Sequence, residues 1–179
     1  PVDRRQRQMC IRDRSTVEYL KERGISGQTA KNFTIGFADF NQIELLKILQ
    51  NKFSDKEILE SGNFLKNEKG FYPFLRNRVV FPILNSSGKT IGFGGRVTDN
   101  SMPKYLNSKD SKFFNKTREL YGFNNAKKDH KSEDFIVTEG YMDVAMLSEY
   151  GINNAVASLG TAFSQNHMNA MFKLSLIHI

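Results

Sequence analysis

The 179 residues carry 26 Lys and Arg against 19 Asp and Glu, a formal net charge of +7, and one cysteine. No apolar run approaches the roughly 18 to 20 residues that span a bilayer, and the N-terminus lacks the apolar stretch of a secretory signal. This argues against a membrane helix and a secreted disulfide scaffold, makes a cytoplasmic location the expectation, and leaves open a polyanionic partner or a moderately basic enzyme without one.

The first fourteen residues, PVDRRQRQMCIRDR, hold five arginines and two aspartates without hydrophobic periodicity. They resemble a translated sequencing adaptor, as does the closing SLIHI of residues 175–179. The alternative is a natural basic arm that binds nucleic acid. Setting residues 1–14 aside lowers the net charge from +7 to +4 and removes Cys10, which leaves no thiol chemistry and no cysteine-bound zinc. A helix is predicted from Ser15, with Glu18 as capping-box partner, Val17, Tyr19 and Leu20 on its apolar side and Gly24 at its end. Residues 26–33 read as a second short helix and 36–38 as a turn or short strand. Asn41 is placed to cap a helix carrying Ile43, Leu46, Leu49 and Phe53. Ser54 with Glu57 opens another, which ends at Gly62.

The period then changes. Residues 78–84 alternate as a strand, Asn85-Ser86-Ser87-Gly88 is a hairpin turn, and 90–97 is the returning strand. Pro82 predicts an edge or a bulge in the first of these. Residues 102–114 read as loop, 117–126 as helix, and the charged 124–134 as a linker or surface loop. From Phe135, a strand (135–138), a helix (141–150), Gly151 and a strand (155–159) spell a βαβ unit with an expected right-handed crossover. A last helix, 164–174, would feed a third strand, but the chain runs into SLIHI. The expected class is α/β: an α+β part with a mixed or antiparallel sheet, then a βαβα unit cut off inside a domain with an unpaired edge.

Chemistry is expected where the strand at 135–138 ends on Glu139 and Gly140. In open α/β sheets, sites collect beyond the carboxyl ends of parallel strands, and glycine lets the backbone turn sharply there. Asp143, four residues on, reads as a first-turn carboxylate facing the helix dipole. One carboxylate holds Mg²⁺ poorly, so Glu139 needs partners from elsewhere. Gly92-Phe93-Gly94-Gly95-Arg96 is open to two readings, close approach of a phosphate or a β-bulge with an exposed arginine. Arg76 and Arg78 are predicted to share one strand face, suited to phosphate oxygens or simply solvated. Lys104 beside Tyr105 suits a phosphate contact with base stacking, and Lys116 with Arg118 extends a basic surface. His130 and His167 lack metal-ligand spacing and read as surface residues.

Seven segments occur together in one order: Tyr19-Leu20-Lys21-Glu22-Arg23-Gly24-Ile25, Arg76-Asn77-Arg78-Val79-Val80-Phe81-Pro82-Ile83, Ile91-Gly92-Phe93-Gly94-Gly95-Arg96, Pro103-Lys104-Tyr105-Leu106-Asn107-Ser108, Glu119-Leu120-Tyr121-Gly122, Glu139-Gly140-Tyr141-Met142-Asp143 and Ala157-Ser158-Leu159-Gly160-Thr161. Over about residues 15–174 the chain thereby resembles the catalytic core of bacterial DnaG-type DNA primases. The resemblance implies a primase N-terminal subdomain at 15–130 and a partial Toprim domain at 133–174, a fold shared with topoisomerases and nucleases, between non-native tails at 1–14 and 175–179. It implies that Glu139 is the catalytic, metal-binding Toprim glutamate. Arg23, Arg76, Arg78, Arg96, Lys104, Tyr105 and Lys116 are then nucleotide- and template-binding; Arg23 by itself reads as a helix C-terminal cation.

The implied activity is synthesis of short RNA primers on single-stranded DNA from nucleoside triphosphates with Mg²⁺ (or Mn²⁺), two ions flanking the reacting phosphate. The replicative helicase is the expected partner, through a region not in this chain. The family's zinc module and the Asp-x-Asp pair of the Toprim metal site are absent from the sequence, so the chain alone is expected to be inactive. The alternatives are a non-catalytic single-stranded-DNA-binding module and a piece of another Toprim enzyme, a nuclease or topoisomerase.

Overall fold

A helix-rich start gives way to strands where the hydrophobic period changes from near four to two. In chain order the computed structural model, which describes residues 14–128, 134–160 and 162–175, runs α1 (Arg14–Glu22), α2 (Gly27–Asn32), β1 (Gly36–Ala38), α3 (Ile43–Gln50), α4 (Asp55–Glu60), β2 (Phe64–Asn67), β3 (Gly70–Pro73), β4 (Arg78–Leu84), β5 (Thr90–Arg96), β6 (Tyr105–Asn107), α5 (Phe123–Lys128), β7 (Ile136–Thr138), α6 (Tyr141–Glu149), β8 (Ala155–Ala157) and α7 (Gln165–Ser175). Cys10, His130 and most of the two expected tails lie outside the described residues. Among the described residues no helix is long and apolar enough to cross a membrane.

Local chemistry explains most boundaries. The Ser54–Glu57 capping box forms in both directions at the start of α4. Asn41 Oδ1 accepts from the Ile43 N–H at the head of α3. At the start of α1, Glu18 pairs with Arg14 across one turn at 3.3 Å. The turn between β4 and β5 is closed by Asn85 Oδ1, which accepts from the N–H groups of Ser87 and Lys89, while Gly88 takes φ 79°.

The main sheet is antiparallel, in the order β1-β4-β5-β6. Val79, Phe81 and Ile83 of β4 are sealed from solvent and alternate with half-buried Val80, Pro82 and Leu84, the pattern of a strand with one face on a core. β1 reaches only from Arg78 to Val80 of β4. Pro82 therefore sits on a locally open edge, and the register shift follows at Ile83/Leu84.

Three elements depart from the sequence-based expectation. The hairpin β2–β3 and the three-residue β6 were not anticipated; both are short, and β6 lies inside a polar loop. The helix predicted at 117–126 starts only at Phe123. Gly122 is held at φ 79°, and Tyr121 exchanges both backbone hydrogen bonds with Ala157. That bridge gives β8 a second neighbour besides its parallel partner β7. β7 is the other correction: its apolar, β-branched run reads as a buried strand, yet it leaves Ile136 39 % and Val137 44 % exposed, because among the described residues it pairs on one edge only.

One hydrophobic core joins both halves of the chain. Leu20, Ile25, Phe33, Phe81 and Tyr121 pack in the same cluster as Tyr141, Met142, Val144, Ala155 and Leu159. Tyr141 lies at its centre, stacked on Phe81 at 5.3 Å and edge-on to Tyr121 at 4.9 Å.

Candidate nucleic-acid interface

The register decides which side chains share a face. Val79 pairs with Arg96 and Arg96 with Tyr105; Phe81 pairs with Gly94 and Gly94 with Asn107. Cross-strand partners point the same way, so Arg96, Tyr105, Gly94 and Asn107 all face α6. The glycine-rich stretch is neither a phosphate cradle nor a bulge carrying an exposed arginine. A Cβ on Gly94 would lie 2.5 Å from the Tyr141 ring, one on Gly92 3.1 Å from Phe114, and one on Gly95 2.8 Å from Leu75. The glycines are notches that let side chains cross the sheet surface.

Arg96 is 3 % exposed. Its guanidinium lies 5.1 Å from the Tyr19 ring and 5.4 Å from the Tyr105 ring, and Arg23 stands over the other part of this ladder, 5.4 Å from Tyr19. Desolvated cation–π contacts are worth about 2 kcal/mol each. Yet Nε and Nη1 of Arg96 and the Tyr19 hydroxyl find no hydrogen-bond partner among the described residues. Buried donors of this kind are costly unless an acceptor arrives.

Arg78 and Arg76 do not share a face. Asn77 adopts φ 49°, which breaks the alternation just before β4. Arg78 is buried on the sheet face opposite Arg96, beside the space left by Gly95, and Nη1 donates to the Lys104 carbonyl at 3.4 Å. Burial lowers its pKa, and Asp99 opposes that shift. Arg76 is exposed, lodged between Phe40 (5.9 Å) and Tyr72 (5.8 Å), on the wall of a cavity of about 320 Å³ that Ile43, Leu46 and Phe64 also line. Lys104 is exposed, and its carbonyl also accepts from the Val97 N–H.

Glu139 is exposed at the end of β7, and Asp143 behaves as expected of a first-turn carboxylate: Oδ2 accepts from the Gly140 N–H at 3.1 Å. The junction is fixed to the basic sheet by the next residue. The Tyr141 hydroxyl donates to Asn107 Oδ1, and Asn107 Nδ2 donates to the Leu159 carbonyl at 2.8 Å. Burial, with Tyr105 adding to it, raises the Tyr141 pKa against the opposing Asn107 bond. The Tyr105 and Tyr141 rings are 6.2 Å apart, so Arg23, Tyr19, Arg96, Tyr105 and Tyr141 form a continuous ladder leading to the Glu139 turn. Among the described residues no three His, Cys, Asp or Glu side chains gather to hold a metal ion. With Asp143 engaged in capping, these residues do not by themselves fit Mg²⁺.

Lys116 belongs to a different part of the surface. Its N–H donates to Asp110 Oδ1 at 3.1 Å, and its carbonyl lies 3.1 Å from His167 Nε2. His167 is not a surface residue; it is fully buried at the head of α7. Tyr19, Asn107, Tyr141 and His167 are the residues that sequence reasoning did not single out. For Tyr19, Asn107 and Tyr141 the signal was available, since all three lie inside segments already noted.

Comparison with known proteins identifies the family. The family described as DNA primase catalytic core, N-terminal domain, matches residues 6–127, and the Toprim domain family matches residues 133–178. A DNA primase of Clostridium acetobutylicum is 45% identical over 150 residues, covering 83% of this chain and 25% of that protein. The solved DnaG primase catalytic domain bound to ssDNA superposes with a TM-score of 0.83 at 40% identity, over 90% of this chain and 51% of that one. The RNA polymerase domain of Mycobacterium tuberculosis primase DnaG, in complex with a double-stranded DNA oligomer with a 6-nucleotide overhang, does so at 0.88 and 31% identity, over 95% and 55%. The chain thus spans about a quarter of the length of that curated relative and about half of those solved domains. Its sequence match and its α/β architecture together establish that the chain belongs to the DNA primase catalytic-core family.

Proposed function

We propose that this chain is the template- and nucleotide-guiding part of a DNA primase together with part of its Toprim domain, residues 15–130 and 133–174 respectively. The whole enzyme would extend RNA on a single-stranded DNA template. A 3′-hydroxyl oxygen bonds to the α-phosphorus of a nucleoside triphosphate, the bond to pyrophosphate breaks, and the hydroxyl proton leaves to a base or to solvent. Arg96 is the observation that carries this reading. A buried cation flanked by two tyrosines, with donors unsatisfied among the described residues, is built to receive a phosphate oxygen. Arg23 and Tyr105 adjoin it; Arg78, tied to the Lys104 carbonyl on the other sheet face, and Lys104, Arg76 and Lys116 would extend the cationic surface. Glu139 would supply one carboxylate to a Mg²⁺ or Mn²⁺ site completed from outside the described residues. The helicase would bind through another region, and a replication role puts the protein in the cytoplasm.

Glu139→Gln in the full-length enzyme is expected to abolish primer synthesis while single-strand binding stays nearly intact. Normal primer yield would remove Glu139 from the mechanism. A second reading, a single-strand-binding module without catalysis, is favoured by the lack of a carboxylate cluster among the described residues. Metal-dependent primer synthesis by the 179-residue chain alone would exclude it.

A further inference from the structure

We infer that His167 is a positioning residue for Lys116, acting as a neutral imidazole of one defined tautomer that carries the lysine's backbone. The inference rests on the reading of Lys116 as a contact to nucleic-acid phosphate. The tautomer follows from the partners. The Ser164 N–H, 3.2 Å from Nδ1, can only donate, so Nδ1 holds the lone pair. The Lys116 carbonyl, 3.1 Å from Nε2, can only accept, so Nε2 holds the proton. A fully buried histidine bonded at both nitrogens is held in one orientation.

The clamp is wider than one bond. The Ser164 hydroxyl donates to the Thr117 carbonyl at 2.7 Å and caps α7 by accepting from the His167 N–H at 3.3 Å. Asp110 holds the Lys116 N–H. The backbone at 116–117 is thus gripped on both sides, and two of the grips come from the head of α7, some fifty positions away in sequence. An ammonium on a long flexible stem gains aim when its backbone is fixed. The Toprim part would in this way direct a cation that belongs to the N-terminal part.

The test is binding of a labelled oligo-dT single strand by the 179-residue chain, read by fluorescence anisotropy across a salt series, with thermal unfolding recorded for every variant. Lys116→Ala is expected to weaken binding about tenfold and to flatten the salt slope by about 0.7. His167→Asn keeps an acceptor near the Ser164 N–H but is too short to reach the Lys116 carbonyl. It should weaken binding about threefold, with no further loss when combined with Lys116→Ala. His167→Gln, which restores an N–H toward that carbonyl, should recover most of the affinity. If His167→Asn fails to fold, Ser164→Ala carries the same cycle by releasing Thr117. A loss that persists undiminished in the Lys116→Ala background, or no loss at all, overturns the inference. If Lys116→Ala itself binds normally while Lys104→Ala does not, Lys116 is no contact and the inference fails, while the reading of Lys104 as a phosphate contact stands.

Discussion

Arg96 and Arg76 each lie between two aromatic rings, yet they inhabit opposite physical regimes. Arg96 sits at the end of β5, under Tyr19 and Tyr105, cut off from water and short of acceptors. Arg76 sits just outside β4, between Phe40 and Tyr72, in reach of solvent. Around Arg96 the core is dense and aromatic. Around Arg76, α3 buries no residue fully, and Ile43 and Phe40 remain exposed. The same pairing of cation and ring therefore does different work. In the sealed region it holds a charge whose desolvation has been met in advance, so a ligand oxygen gains the full electrostatic benefit. In the open region water competes for the guanidinium, and the contact contributes reach rather than strength.

The sealed region should fail first and hardest. Gly94→Ala places a methyl against the Tyr141 ring, and overpacking of this kind costs about 1 to 3 kcal/mol; thermal or urea unfolding measures it, and an unchanged stability would mean that the notch is not filled as described. Arg96→Met is expected to change stability little, because loss of the two cation–π contacts is offset by removal of a poorly compensated buried charge. The same variant should weaken single-strand binding by about tenfold or more. Loss of stability with normal binding would reverse the contrast between the two arginines. Arg76→Ala should alter stability by less than about 0.5 kcal/mol and affinity by less than about threefold.

The smallest effect concerns pH. The Glu149 carboxylate accepts from the Ser26 N–H at 2.9 Å, and bonds from Thr29 and Ser26 hold its pKa below the usual carboxylate range. A lowered folded-state pKa means that this contribution is complete above the unfolded-state value and is lost as pH falls through the folded one. Glu149→Gln should flatten the acid limb of the stability profile relative to wild type and leave the neutral limb unchanged in shape.

Much of this was legible in the sequence. β4 and β5 announced themselves by short apolar and β-branched runs on either side of an Asn-Ser-Ser-Gly turn, α4 by its capping box, and the β7–α6–β8 unit by apolar runs punctuated by Gly140 and Gly151. Glu139 stood out as a candidate because its place at a strand end has a general meaning. What stayed hidden depends on contacts distant in the chain. Nothing local says that Asn77 will take a left-handed turn and part Arg76 from Arg78. The glycines of β5 looked like room for a ligand because their occupants, Tyr141 over Gly94, Phe114 over Gly92 and Leu75 over Gly95, come from other segments. His167 looked like a solvated residue because both of its partners are supplied by loops. Helix α5 was drawn too early because the pull of Ala157 on Tyr121 outweighs local helix propensity.

The two-way backbone bridge between Tyr121 and Ala157 has a practical corollary. It fuses the two family segments into one cooperative unit, so a gene cut between them should yield neither half as a well-behaved product. Each piece would carry an open strand edge and a bare half of the aromatic cluster, and a nick in the connecting backbone should leave the halves co-purifying until denaturant is added.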